Sequence, residues 1–155
     1  MKTPRATAGR SRTAPTAGAK VGGRRLKRLD TLRLPKGYGE VRAFMTVRNE
    51  ATRLPFVLQH HRALGIDRFF IVDNGSDDGT RELLLREPDV HVFGTRDSYA
   101  ASALGMDWAH ELLDEHGVGR WVTLVDADEY LVYPGCESRD LRDYCRAVER
   151  AGFDA

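Results

Sequence analysis

Two aspartates, Asp126 and Asp128, directly follow an apolar run, WVTLV at residues 121–125. Carboxylates two positions apart at a strand end can reach a common point if the chain bends, and they repel each other unless a cation lies between them. Mg²⁺ and Mn²⁺ are typically held by one or two protein carboxylates, with water and substrate phosphates completing the shell. The pattern therefore predicts a divalent-metal site that neutralises charge on a departing diphosphate. The alternative is simpler, because acids after a strand also cap helices.

A second polar stretch, DNGSDDGT at residues 73–80, has the composition of a tight loop. Gly75 and Gly79 permit left-handed backbone, and Asp73 ends a strand-like run, where its carboxylate can meet a ribose or a base edge. The stretch can also lead into a helix with Ser76 or Asp78 as the N-cap. The two interpretations are compatible.

The elements that must position these residues alternate between strand and helix patterns. Strand-like runs are VRAFMTV at 41–47, DRFFIVD at 67–73, DVHVFG at 89–94, WVTLVD at 121–126 and a short YLVYP at 130–134. Helical spacing follows from apolar residues at 54, 57, 58 and 64 with Gly65 closing that helix, and further helices are predicted at 81–87, 98–116 and 138–152. The helix predicted at 98–116 rests on Ala101, Leu104, Trp108 and Leu112.

Strands separated by helices predict an α/β fold, a Rossmann-like and mostly parallel sheet with helices on both faces. In such sheets ligands bind outside the carboxyl ends of the strands. The polar residues fall there, at 48–50, 73–78, 96–97 and 126–129. No GxGxxG follows the first strand and no GxxxxGK[ST] occurs, so dinucleotide binding and P-loop chemistry lose their main support.

The charge distribution divides the chain. Nine of the 24 Lys and Arg residues and none of the 23 acids lie in residues 1–29. We therefore expect a disordered basic tail and linker at 1–39 and an acidic folded domain at 40–155. A solvated tail is the favoured interpretation; contact with nucleic acid, peripheral association with anionic lipid and a transit peptide are the alternatives. No aromatic residue lies within 1–29 to stack on bases, so a nucleic-acid site is not convincing.

Several features limit the location and chemistry. No apolar run approaches the roughly 20 residues that span a bilayer, and the N-terminus lacks the apolar region of a secretory signal, so a cytoplasmic protein without a transmembrane segment is expected. Cys136 and Cys145 have no nearby His and are assigned no role. His60 and His61 are adjacent, so only one can face the core, and packing at a helix edge is favoured over metal ligation.

Taken in order, VRNE, DNGSDDGT and LVDADEYL resemble the motifs of family 2 glycosyltransferases and their relatives of the glycosyltransferase-A fold. The resemblance covers about residues 41–134. It implies a nucleotide-sugar donor and a divalent cofactor, Mn or Mg, with Asp73 towards the base or ribose and Asp128 binding the metal on the donor diphosphate. The implied donor-binding residues are Arg48, Asn49, Glu50, Asp73, Asn74 and Asp126, and the implied metal ligands are Asp126 and Asp128.

The chain departs from the family after the metal motif. In this fold the acceptor site and the general base of inverting enzymes come from the half that follows, and here only 27 residues follow Asp128. The resemblance thus implies a donor-binding half truncated at its C-terminus, with the general base, acceptor, nucleotide, sugar and anomeric outcome open. The first alternative is a non-catalytic nucleotide-sugar-binding fragment that needs a partner chain. The second is a haloacid-dehalogenase-like phosphatase, although Tyr130 stands where that motif has Thr or Val.

Overall fold

The computed structural model describes residues 26–34 and 39–153. Its strands are β1 (Lys27–Arg28), β2 (Val41–Val47), β3 (Arg68–Asp73), β4 (Val90–Gly94) and β5 (Trp121–Leu124). Its helices are α1 (Leu54–Leu64), α2 (Thr80–Leu84), α3 (Met106–His116) and α4 (Leu141–Arg150), with a 3₁₀ turn at Ala100–Ser102. No helix within these described ranges is long and apolar enough to cross a membrane.

The five strands form one sheet in the order β1-β4-β3-β2-β5. β2 pairs in parallel with both β3 and β5, β3 pairs in parallel with β4, and β1 alone runs antiparallel, against β4. The central strands β2 and β3 are buried along almost their whole length, which is why both read as nearly continuous apolar runs. The predicted α/β class with a mostly parallel sheet is confirmed.

Helices cover both faces of the sheet, and each face has its own core. One core joins α1, α2 and α4 to the sheet and includes Leu58, Leu84, Cys145, Phe69 and Ile71. The other core lies under α3 and includes Trp108, Leu112, Phe44, Phe70 and Phe93. The two sets alternate along β2 and β3, because successive side chains of a strand point to opposite faces.

α1 begins and ends where the sequence predicts. Pro55 lies in its first turn, where its missing N–H costs no hydrogen bond, and Leu54, Val57, Leu58 and His61 form its buried side. Gly65 ends the helix in the left-handed conformation at φ 103°. This helix therefore connects the loop after β2 to the start of β3 as a single rigid segment.

The helix predicted at 98–116 is shorter than expected. Ala103 and Leu104 have φ values of 50° and 58°, so the chain breaks between the 3₁₀ turn and Met106, where α3 begins. Leu104, which has helical spacing with Trp108, is 64% exposed. The periodicity continued across a break because Leu104 happens to stand four residues before Trp108.

The predicted fifth strand at 130–134 is wrong. No strand follows β5 in the described part of the chain, and β5 ends at Leu124, two residues before the end predicted for it. A strand needs a partner for its backbone groups, and the N–H and C=O groups of Leu131 instead contact the side chains of His61 and His60 in α1. Tyr130 and Val132 are exposed, so their apolar character reflects no buried strand face.

The folded domain starts before residue 40, the boundary expected from composition. β1 pairs with β4 through Lys27 and Arg28, Leu26 is buried in the core under α3, and the Asp30 carboxylate accepts the N–H of Val92 at 2.9 Å. Residues 26–34 thus belong to the domain although they carry basic charge. Residues 1–25 and 35–38 of the predicted tail and linker lie outside the described residues.

Candidate functional site

Loops from four neighbouring parallel strands converge on one cleft of about 390 Å³, here named the rim cleft. Its lining residues are Thr46, Val47, Arg48, Glu50, Asn74, Tyr99, Asp126, Ala127 and Asp128. Thr46 and Val47 end β2, and the other lining residues follow β2, β3, β4 or β5, as expected for the carboxyl ends of parallel strands. Five of the seven predicted site residues therefore meet at one place, whereas Asn49 and Asp73 do not line the cleft.

The acidic wall of the rim cleft is a tight turn after β5. The N–H of Glu129 donates to the carbonyl of Asp126 at 3.0 Å, and the N–H of Asp126 donates to the Glu129 carboxylate at 3.3 Å. Loss of water around Asp126 raises the pKa of its carboxyl, and the negative charges of Glu129 and Asp128 raise that pKa further. Like charges are thus held together here, which a bound cation would relieve.

Asp126 and Asp128 are the carboxylates that a metal ion in the rim cleft would contact. Within the described ranges there is no group of three or more His, Cys, Asp or Glu side chains placed to hold a metal. A site made by protein alone, as in structural zinc centres, is therefore not formed by these residues. Two exposed carboxylates beside an open cleft match the way Mg²⁺ and Mn²⁺ are bound, with diphosphate oxygens and water supplying the other positions.

The loop after β2 is held by the DNGSDDGT loop. Consecutive N–H groups of Asn49, Glu50 and Ala51 donate to side-chain oxygens of Ser76, Thr80 and Asp78 at 3.0, 2.8 and 3.1 Å respectively. The Asn49 amide oxygen accepts the N–H of Asp77 at 3.0 Å, and Asn49 has a φ of 58°. Asn49 therefore braces two loops against each other, while its neighbours Arg48 and Glu50 line the rim cleft.

Asp73 lies beneath the loop and not in the rim cleft. Its side chain has no exposed surface, and its carboxylate accepts Arg81 Nε at 2.7 Å, Arg81 Nη2 and the N–H of Ser76 at 3.0 Å. In this arrangement the Asp73 carboxylate is not accessible for the expected contact with a base or ribose. The sequence could not reveal this, because Arg81 stands eight residues away, in the first turn of α2.

Asn74 connects two of the four loops. It is buried, and its side-chain Nδ2 donates to the carbonyl of Asp97 at 3.0 Å. Its own N–H donates to the carbonyl of Val47 at 2.9 Å. The side chain thus fixes the loop after β4 while forming part of the cleft wall.

Tyr99 is a site residue that sequence reasoning missed. It lines the rim cleft and also a neighbouring apolar pocket of about 250 Å³, whose floor includes Phe44, Val72 and Leu112. The nearest signal was Gly105 inside the predicted helix. A Cβ at Gly105 would lie 3.0 Å from the Tyr99 ring and 3.3 Å from Thr46 Oγ1, so only glycine allows the chain to pass there without a shift.

The site and the fold together define a Rossmann-like α/β domain with an acidic, open cleft at the carboxyl ends of its parallel strands. The comparison with solved structures agrees on the fold. Crystal structures of TarS from S. aureus superpose with a TM-score of 0.54, at 16% identity for residues 1–349 and 15% for the other structure. The match covers 72% of this chain and 32% or 20% of those chains. At this identity the likeness concerns the fold alone.

Sequence comparison is more specific about the class. No protein-family profile matches the chain. A glycosyltransferase family 92 protein of Oryza sativa subsp. japonica is 33% identical over 101 residues, and one of Ricinus communis is 30% identical over 109 residues. These matches cover 64% and 68% of this chain but only 17% and 18% of the relatives, so the chain spans less than a fifth of their length. The expected resemblance to glycosyltransferases is confirmed; the assignment to family 2 stays a prediction.

Proposed function

We propose that this chain binds the nucleotide-diphosphate sugar donor of a glycosyltransferase reaction, with a glycosyltransferase-A fold of family 2 type. The observation that carries the proposal is the convergence of Arg48, Glu50, Asn74, Asp126 and Asp128 from three loops on one cleft. The two plant relatives named as family 92 glycosyltransferases support the class of protein. The volume of about 390 Å³ suits a ligand of nucleotide size, since such sites range over roughly 300 to 1,000 Å³.

Each side chain then has a role that follows from its chemistry. Asp126 and Asp128 hold Mn²⁺ or Mg²⁺ beside the donor diphosphate, and the exposed guanidinium of Arg48 pairs with a phosphate oxygen. The bound ion supplies a Lewis acid that offsets the charge of the leaving diphosphate. The Glu50 carboxylate, paired with Arg53 at 2.9 Å, lines the same cleft and helps to shape its wall.

The Asp73–Arg81 pair supports the site from below. Because the buried Asp73 carboxylate holds Arg81 and the N–H of Ser76, it fixes the loop that braces Asn49 and Glu50. Its role is to hold the wall in place, and a contact with the base or ribose requires Arg81 to move.

A non-catalytic fragment that acts with a partner chain is the second candidate. None of the residues assigned to the cleft is a general base, so the assigned roles suit donor binding without turnover as well. Turnover distinguishes the two candidates. Both bind a nucleotide diphosphate, but only a catalytic enzyme transfers or hydrolyses the donor sugar.

The test is isothermal titration of the chain with UDP and with GDP, each with and without Mn²⁺. We expect Mn²⁺-dependent binding of one nucleotide, lost in Asp128→Ala. The matched control is Asp114→Ala, an exposed aspartate of α3. The end of α3 lies near the start of β2, where Arg42 Nη1 donates to the carbonyl of His116 at 2.7 Å, so Asp114 stands far from the carboxyl ends.

Two results would contradict the proposal. Equal affinity in the parent and Asp128→Ala would remove Asp128 from the metal site. Release of phosphate from an aryl phosphate, abolished by Asp126→Asn, would favour the phosphatase alternative, in which Asp126 is the nucleophile.

A further inference from the structure

The segment that follows the acidic turn is held by two adjacent histidines of α1. The N–H of Leu131 donates to His61 Nε2 at 3.4 Å, and the carbonyl of Leu131 lies 3.2 Å from His60 Nε2. The two adjacent histidines thus provide hydrogen-bond partners for both the N–H and the carbonyl of Leu131. This arrangement satisfies backbone that has no strand partner.

The hydrogen bonds fix the tautomers of both rings. His61 Nδ1 lies 2.8 Å from the carbonyl of Val57, which can only accept, so Nδ1 carries the proton and Nε2 presents the lone pair that Leu131 needs. His61 is fully buried, and burial lowers its pKa, which favours this neutral form. His60 has the other tautomer. Its Nε2 faces the Leu131 carbonyl, which can only accept, so Nε2 carries the proton.

Ring packing adds to the hydrogen bonds. The His60 ring meets the Tyr130 ring edge-on, with centroids 5.0 Å apart and an interplanar angle of 81°. The His60 and His61 rings are also perpendicular, with centroids 5.2 Å apart. Two consecutive residues of the segment, Tyr130 and Leu131, are therefore held against one turn of α1.

α1 is connected to both sides of the rim cleft. The loop that carries Arg48 and Glu50 leads directly into α1, since the carbonyl of Glu50 accepts the N–H groups of Arg53 and Leu54 at 3.0 Å each. The acidic turn with Asp126 and Asp128 leads directly into the segment held by His60 and His61. One rigid helix is thus attached to both walls of the rim cleft.

We propose that His60 and His61 are positioning residues of the rim cleft, holding the acidic wall at a fixed distance from the wall that carries Arg48. The proposal rests on the proposed function for the identity of the ligand, a divalent metal with a diphosphate. Neither histidine touches that ligand. They act through the backbone of Leu131, three residues after Asp128.

Matched amide substitutions separate this role from simple packing. The terminal amide of Gln reaches about as far as His Nε2, whereas that of Asn reaches only as far as Nδ1. His61→Gln therefore keeps an acceptor for the N–H of Leu131, and His61→Asn keeps only the bond to Val57. His60→Gln and His60→Asn form the same pair for the Leu131 carbonyl at a half-buried position, where folding is less at risk.

Two measurements are made on the parent and the four variants. Hydrogen exchange at the Leu131 amide reports the contact itself, and titrations with Mn²⁺, alone and in the presence of UDP or GDP, report the acidic wall. Loss of groups that orient metal ligands typically weakens metal affinity by about 10- to 100-fold. We expect at least about tenfold weaker Mn²⁺ binding and faster Leu131 exchange in both Asn variants, with the Gln variants near the parent. His110→Asn, at an exposed site on α3, is the control.

The outcomes distinguish the two proposals. If the parent binds Mn²⁺ and the Asn and Gln variants bind it equally well, the positioning role is wrong while the proposed function stands. If the parent binds no Mn²⁺, alone or with UDP or GDP, the proposed function fails. Unchanged Leu131 exchange in both Asn variants would overturn the histidine contact itself, whatever the metal affinity.

Discussion

At the scale of single residues, Asp126 in the rim cleft and Asp73 beneath it differ in how their negative charges are compensated. Asp126 is exposed beside Glu129 and Asp128, and its pKa is raised by lost water and by these like charges. Asp73, in contrast, is fully buried, with both carboxylate oxygens engaged by Arg81 and by the N–H of Ser76. An uncompensated carboxylate is available to a ligand, and a compensated one is part of the framework.

The buried Asp73–Arg81 pair gives a prediction about stability. Arg81→Ala leaves a buried carboxylate without its partner, which typically costs about 3 to 5 kcal/mol. We expect a marked fall in the midpoint of urea unfolding, whereas Arg86→Ala, at an exposed position beyond the end of α2, changes it little.

A second substitution distinguishes the unpaired charge from other losses. In Asp73→Asn with Arg81→Ala the buried charge is gone, so the double variant should recover part of the stability lost in Arg81→Ala. If the double variant is no more stable than the single one, an unpaired carboxylate does not explain the loss.

At the scale of elements, local sequence pattern predicted most of the helices and strands. It failed where a break in the backbone or a partner distant in sequence determines the local structure. β2, α1 and β4 were predicted to within a residue or two because their apolar runs end at Gly65 or in polar loops. The first part of the helix predicted at 98–116 is wrong, since spacing alone cannot show that Ala103 and Leu104 adopt positive φ. The strand at 130–134 failed because its backbone partners lie on α1, 70 residues away.

The break before α3 yields a prediction at Gly105. Its φ is 82°, and an added Cβ would lie 3.0 Å from the Tyr99 ring. Gly105→Ala therefore strains the backbone and displaces Tyr99 from the wall shared by the rim cleft and the apolar pocket. Strain of this type costs about 1 to 3 kcal/mol, measurable by urea unfolding.

Ala103 provides the opposite substitution two residues earlier. It has a φ of 50°, a conformation that glycine adopts more easily, so Ala103→Gly should leave stability unchanged or raise it by up to about 1 kcal/mol. Equal destabilisation by Gly105→Ala and Ala103→Gly would show that this break is not maintained by backbone conformation.

At the scale of the whole molecule, the two faces of the sheet carry different chemistry. The core under α1, α2 and α4 is mainly aliphatic and includes the buried His61, whereas the face under α3 contains a buried aromatic stack with charges around it. Phe70 lies between His91 and His116, with ring centroids 4.9 and 4.8 Å away, and the Arg42 guanidinium lies 5.1 Å above it. His116 is the last residue of α3, so this stack packs the end of α3 against β2, β3 and β4.

The candidate site was predictable in place but not in detail. The rule that ligands bind at the carboxyl ends of parallel strands located the four loops, and Arg48, Glu50, Asn74, Asp126 and Asp128 do meet there. The sequence could not distinguish a side chain that faces the cleft from one that braces it. Asn49 and Asp73 differ from their neighbours only through contacts with residues of the next loop and helix.

The stack under α3 predicts loss of stability in mild acid. Burial lowers the pKa of both His91 and His116, despite the opposing charges of Asp30 and Glu115. Arg28, Arg68 and Arg42 lower these pKa values further. A histidine whose folded-state pKa is depressed is neutral when folded and takes up a proton on unfolding below about pH 6.5. Stability should therefore be complete above about pH 6.5 and decline as the pH falls towards the folded-state values.

His116→Phe tests this because it keeps a ring beside Phe70 and removes one titrating group. Each such histidine contributes at most about 1.4 kcal/mol per pH unit to the slope of stability against pH. Between pH 7.5 and 5.5 we expect the free energy of unfolding to fall less in His116→Phe than in the parent. His110→Phe, on the exposed side of α3, is the control for replacing a histidine of this helix by phenylalanine. A parental slope in His116→Phe as well would assign the acid sensitivity to other groups, because stacking on Phe70 is retained while the proton uptake is gone.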